Sequence, residues 1–128
     1  MKKIIYTPDA PAAIGPYNQA VYANHTLYVS GQIGINPITG ELVSDTIESE
    51  TRQVLTNLHA ILIAAGLSFK DVVKCSVFVK DMAQYSRINE VYATFFDPDW
   101  APARELVEVA NLPRYVNIEI SLIAVSSK

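Results

Sequence analysis

Val72-Val73-Lys74-Cys75-Ser76-Val77-Phe78-Val79-Lys80 changes character at every step, with Val73, Cys75, Val77 and Val79 on one side and Lys74, Ser76, Phe78 and Lys80 on the other. A two-residue period belongs to a β-strand, and an apolar face beside a mixed one marks a half-buried sheet. Upstream, Ile47, Val54, Leu55, Leu58, Ile61, Leu62 and Ala65 recur at three- and four-residue steps. That stripe predicts an amphipathic helix over 45–65, with Asp45 and Glu48 at capping-box spacing and Gly66 suited to the left-handed exit. Downstream, Asp81 with Gln84 starts a second helix that turns Tyr85, Ile88, Val91, Tyr92 and Phe95 inward and stops at Asp97-Pro98.

Around this centre the chain reads as strands. Residues 4–6, 20–23 and 26–33 precede the first helix, with Asn24-His25 as a tight turn, and residues 104–109 and 116–125 follow the second. The Pro-rich stretch 8–16 opposes regular structure, and Asn36-Pro37-Ile38-Thr39-Gly40 carries turn chemistry. This order predicts an α+β single domain over 1–128, a mixed β-sheet with two α-helices packed on one face.

Composition narrows the function. Half of the 128 residues are hydrophobic and 18% are charged, enough apolar surface for one core. A net charge of −3 has the wrong sign for a surface that displaces counterions from phosphates, so a nucleic-acid partner is not expected. The single cysteine, Cys75, forms no internal disulfide, and alternation places it in the core rather than in the role of nucleophile. The apolar run after Met1-Lys2-Lys3 stops before Thr7-Pro8-Asp9, too short for a secretory core or a membrane span, which predicts a cytoplasmic protein without membrane attachment.

With the helices on one face, the other is bare. Alternation assigns to it Tyr28, Ser30 and Gln32; Lys74, Ser76 and Phe78; Arg104, Leu106 and Glu108; and Asn117, Glu119 and Ser121. Such a mixed face suits packing against copies of itself. Val107, Val109, Val116, Ile118 and Ile120 are expected to face the helices, which sends Arg104 and Glu119 to the bare side together. A guanidinium fits a carboxylate in bidentate fashion, and a nearby carboxyl can orient a water or move a proton, so the pair could bind an acid and hydrolyse it. Ion pairs on sheets are ordinary, and on pattern alone the simpler reading is that the two residues neutralise one another in a subunit interface.

Other positions carry less. Tyr17 follows the rigid Ile14-Gly15-Pro16 turn and could hold its hydroxyl over a pocket or simply cover apolar surface. Ser30-Gly31 inside a strand permits a close ligand approach or marks a bulge. Asn89 lies beside the buried stripe of the second helix. His25 and His59 have no ligand-spaced partners, and there is no Gly-rich phosphate loop, Gly-x-Ser-x-Gly elbow or two-histidine zinc motif. An enzyme of this kind would work with no metal and no organic cofactor.

The runs Ala10-Pro11-Ala12-Ala13-Ile14-Gly15-Pro16-Tyr17-Asn18-Gln19-Ala20, Ser30-Gly31-Gln32-Ile33, Val72 through Met82, Asn89-Glu90-Val91-Tyr92, Pro102-Ala103-Arg104 and Ile118-Glu119-Ile120 strongly resemble the reactive intermediate deaminase (Rid, or YjgF) family, RidA branch. The resemblance implies a chorismate-mutase-like fold in a homotrimer, sheets inside and helices outside, with clefts between subunits. It implies hydrolysis of enamine and imine intermediates such as 2-aminoacrylate and 2-iminobutanoate to 2-oxo acids and ammonia, without a cofactor. Carried over by position, Arg104 would hold the substrate carboxylate and Glu119 the attacking water, with Tyr17, Ser30, Gly31 and Asn89 lining the cleft. Where many relatives have Ser or Thr and then often Cys, this chain has Glu105 and Leu106, which makes Leu106 an apolar part of the pocket wall. A small-carboxylate-binding regulatory module acting through a protein partner is the alternative; a ribonuclease or translation inhibitor comes third.

Overall fold

The computed structural model describes residues 1–127. Strands β1 (Lys3–Ile5), β2 (Ala20–Ala23) and β3 (Thr26–Gln32) lead to helix α1 (Ile47–Ala64). Strand β4 (Val72–Val79), helix α2 (Tyr85–Tyr92), strand β5 (Ala103–Glu108) and strand β6 (Ile118–Val125) complete the chain. The six strands form one mixed sheet in the order β1-β2-β3-β6-β4-β5, antiparallel except for the parallel β4–β5 pair. The α+β expectation holds, with most strand ends shifted by one or two residues.

Local signals account for the elements. Asn24 and His25 both take left-handed angles (φ 50° and 60°), giving the two-residue turn whose twist matches its strands and sets Ala23 opposite Thr26. α1 ends with Leu67 N donating to Leu62 O and Gly66 N to Ile63 O, both at 2.9 Å, and Gly66 at φ 77°. This is a Schellman closure, which requires a residue that tolerates the left-handed region. The N-terminus departs from expectation: Thr46, not Asp45, is the cap, accepting from Ser49 N at 3.0 Å. Glu48 is instead drawn to Arg87 of α2 in a two-bond ion pair at 2.7 and 2.8 Å.

The core lies between α1, α2 and the sheet. Val54, Leu55, Leu58, Ile61 and Leu62 of α1 are fully buried against Cys75, Val77 and Val79 of β4 and Ile118 and Ile120 of β6. Each large aliphatic side chain so buried contributes about 1.5–3 kcal/mol. The second helix is shorter than its pattern suggests. Asp81 caps a separate 3-10 turn, Met82–Gln84, by accepting from Ala83 N at 2.9 Å, and Gln84 closes no box. Ile88, Val91 and Tyr92 are buried as expected, but Tyr85 is 43% exposed.

Three departures concern which way strands face. An extra residue in β3, between Val29 opposite Leu122 and Gln32 opposite Ile120, is a β-bulge at Ser30-Gly31 that turns Gln32 into the core at 6% exposure. A similar irregularity between Val72 and Lys74 buries Val72 and leaves Val73 exposed. Largest in consequence is β5. It sets Arg104 beside Cys75, Leu106 beside Val77 and Val107 beside Phe78. Register partners share a face, so Arg104 and Leu106 leave on the helix side, while Val107, at 41% exposure, faces away from the helices. The expectation that Arg104 and Glu119 project together is therefore overturned. β5 is an edge strand, and the 3-10 turn before α2 offers it a polar partner rather than a sealed core: Glu108 accepts from Met82 N at 2.8 Å. Asn117 also leaves the bare face, donating from its backbone and side chain to the buried Glu50 of α1.

Candidate functional site

The predicted residues fall into two groups on opposite faces of the sheet. Glu119 is on the open face, opposite Phe78, which in turn pairs with Val107. Arg104 is three residues along from Val107, so within one chain two strand spacings (~10 Å) and a further ~10 Å along the strand separate it from Glu119, in addition to the change of face. The two do not pair within the chain.

The acidic group is built around the β3 bulge. A Cβ on Gly31 would lie 2.5 Å from Glu119 Oε2, so the absence of a side chain there lets the carboxyl lie against the strand. Glu119 is half-buried, and that burial alone raises its pKa above the ordinary carboxylate value. Ser30 Oγ donates to Asn18 O at 2.6 Å and Ser30 N to Gln19 O at 2.9 Å. Both bonds tie the bulge to the segment that carries Tyr17. The buried Gln19 side chain then fastens the Pro-rich stretch, accepting from Thr7 N and donating to the carbonyls of Thr7 and Pro11 at 2.8–3.0 Å. The result is a cleft of about 230 Å³ that Tyr17 and Gly31 line together, walled by Ile14, Ile33, Ile35 and Pro113. Tyr17 is half exposed beside it.

The basic group lies on the helix side. Arg104 Nη1 donates to Asn89 Oδ1 at 2.8 Å, and Nη2 faces the Tyr85 hydroxyl at 3.4 Å. The guanidinium lies over the Tyr92 ring, 4.8 Å from its centroid, and 5.8 Å from that of Tyr85. Tyr85, Asn89 and Tyr92 are four and three residues apart, on one face of α2. Leu106 projects from β5 on the same side as Arg104 and packs on the core. Among the described residues the ion pairs are Lys74 with Glu105 and Arg87 with Glu48, so Arg104 has no acidic partner. Glu105 is on the open face, held by Lys74 and by Ser76 Oγ, well away from the guanidinium.

Sequence reasoning placed Tyr85 and Tyr92 simply in the core and missed their contact with Arg104. Their spacing to Asn89 is the signal that could have found them. Cys75 is buried, as expected, and burial pushes its thiol pKa up. His59 stacks on Phe69, and neither it nor His25, in the β2–β3 turn, adjoins either group. Among the described residues no three His, Cys, Asp or Glu side chains cluster as a metal site would require, and no helix is long and apolar enough to cross a membrane.

The family described as Endoribonuclease L-PSP matches residues 7–126, nearly the entire chain. The chain belongs to this family, also called Rid or YjgF. Among Rid relatives, a RutC family protein of Pyrococcus horikoshii is 52% identical over 124 residues, covering 97% of this chain and 98% of that one. The mouse 2-iminobutanoate/2-iminopropanoate deaminase is 47% identical over 125 residues, covering 98% and 92%. The structure of Escherichia coli TdcF with bound serine superposes with a TM-score of 0.92 at 47% identity, covering 98% of this Rid chain and 99% of that one.

Proposed function

We propose that this Rid protein is a cytoplasmic, cofactor-independent deaminase that hydrolyses 2-aminoacrylate- and 2-iminobutanoate-type intermediates to 2-oxo acids and ammonia. Its working site is a cleft between copies in a homotrimer of chorismate-mutase-like subunits. Arg104, Asn89 and Leu106 come from one subunit; Tyr17, Ser30, Gly31 and Glu119 come from its neighbour. The observation that carries this reading is the split itself: a held but acid-free guanidinium on one face and, on the other, a half-buried carboxyl against Gly31, which lines a small cleft. The open sheet face, with Tyr28, Phe78 and Val107 among polar residues, is the surface on which copies would meet.

The chemistry needs little. The enamine takes a proton on its terminal carbon and gives one up from nitrogen to become the imine, whose carbon is already electrophilic. Water adds there, its proton passing through Glu119 to the nitrogen to give a carbinolamine; the hydroxyl proton then follows the same route to the nitrogen as the C–N bond breaks, which releases ammonia and leaves the ketone. Arg104 contributes by fixing the carboxylate, which makes the water's approach effectively intramolecular. The mouse relative's name as a deaminase and the serine bound to the Escherichia coli relative support a small amino- or imino-acid ligand. The family's ribonuclease name finds less support: the chain is acidic and its two histidines adjoin neither group.

The test is to generate 2-aminoacrylate or 2-iminobutanoate with a dehydratase and follow 2-oxo acid release. Acceleration that Arg104→Ala abolishes is the expected result. Failure to accelerate overturns the enzyme reading, and 2-oxobutanoate binding without turnover would support a regulatory carboxylate-binding module instead.

A further inference from the structure

Asn89 holds Nη1 of Arg104 at 2.8 Å, while the Tyr85 hydroxyl accepts from Nη2 only at a long 3.4 Å, too weak a bond to define the plane of the guanidinium. The Tyr92 ring is positioned to do so. It is 8% exposed and packs on Phe96 at 4.7 Å between centroids, and Phe96 packs on Phe69 at 5.0 Å. Its hydroxyl is buried beside the Cys75 thiol without the geometry of a proper hydrogen bond, and Cys75 is the strand partner of Arg104. The ring is thus clamped from below and behind, with its face turned to the cation at 4.8 Å. A cation is attracted to that face by the ring quadrupole, more so when both are partly removed from water.

We infer that Tyr92 is a positioning residue whose ring face sets the plane in which the Arg104 guanidinium meets the ligand carboxylate; the inference rests on the carboxylate-binding role proposed above for Arg104. A planar fork aligns two N–H groups with two carboxylate oxygens only in one orientation. With one face on the ring, Nη1 on Asn89 and Nη2 near the Tyr85 hydroxyl, the free N–H groups of the fork are directed before the ligand arrives. Burial, and then the neighbouring Cys75, raise the phenol pKa, so the ring stays neutral under the cation and attracts it as a π face rather than as a phenolate.

The test replaces Tyr92 by phenylalanine and by phenylalanines of increasing ring fluorination, which weaken the quadrupole with little change of shape. The readouts are the dissociation constant of 2-oxobutanoate and, separately, KM and kcat for the imine. Tyr92→Phe should bind nearly as well as the native protein. The fluorinated series should lose affinity stepwise, to on the order of tenfold overall, with KM rising in parallel and kcat nearly constant. In an Arg104→Met background the series should have no further effect. A flat series, or a loss that persists undiminished without Arg104, overturns the inference. Graded loss of 2-oxobutanoate binding in a protein without imine turnover would sustain the role of Tyr92 and reject only the deaminase reading.

Discussion

Gly31 and Glu119 occupy the same space in turn: a methyl group on residue 31 would lie 2.5 Å from Glu119 Oε2 and 2.8 Å from its Cδ. The carboxyl can lie against β3 only because nothing projects there, and the bulge at Ser30-Gly31 presents that bare backbone to it. The position of the proposed water-orienting group therefore depends on a residue with no side chain.

Gly31→Ala should leave the fold intact, because the atoms it strikes are the free end of a flexible side chain, while displacing the carboxyl. Misplacement of about 1 Å costs on the order of 10²-fold in rate. The expected outcome is that loss in imine turnover with a melting temperature close to native, measured by dehydratase-coupled kinetics and thermal unfolding. Native turnover in the variant would show that Glu119 needs no such seat.

Burial raises the pKa of Glu119, and the sign of its effect on stability follows. A carboxyl whose folded pKa exceeds its unfolded value favours the folded state below the unfolded pKa and withdraws that support as pH rises through the folded one. Glu119→Gln should thus melt higher than the native protein at pH 7, with the difference closing in acid. The acid limb of kcat/KM should lie above the ordinary carboxylate pKa of 4.5 and disappear in the variant.

The Glu48–Arg87 pair has the opposite sign. Its hydrogen bonds to Arg87, ahead of smaller causes, lower the Glu48 pKa from 4.5 to about 2. Its contribution is complete above pH 4.5 and lost as pH falls through about 2. Because the pair is solvent-facing, 1 M salt should erase most of its effect. Acid titrations of stability for the native protein and Glu48→Gln should converge below pH 2, and the gap at pH 7 should be small.

Glu50 is a different kind of acid. At 1% exposure it accepts from Asn117 N at 2.9 Å and Asn117 Nδ2 at 2.8 Å, joining α1 to the start of β6 two residues before Glu119. Glu50→Gln turns one acceptor into a donor facing a donor, and should cost about 1–3 kcal/mol in urea unfolding. It should also reduce turnover, since β6 begins where that bond holds it.

Much of this was legible in local pattern. The Asn24-His25 turn, the Gly66 exit, the α1 stripe and the alternation of β4 from Cys75 onward follow from backbone preference and periodicity, which act within a few residues. The errors arose where an element's phase is set from outside it. The single extra residue at Ser30-Gly31 cannot be counted until β6 lies alongside, and it reverses Gln32. β5 carries Arg104-Glu105-Leu106-Val107-Glu108, where apolar residues occur on both faces and alternation alone cannot say which is inside.

Taken alone, the sequence determined the α+β composition, the two helices, the family and the residues worth testing, because each depends on local preference or on a string of motifs. Only the tertiary structure decided that Arg104 turns toward α2 while Glu119 faces the open side. That choice belongs to the pairing of β5 with β4, where a one-residue change of register exchanges the two faces and no property of either strand by itself opposes the exchange.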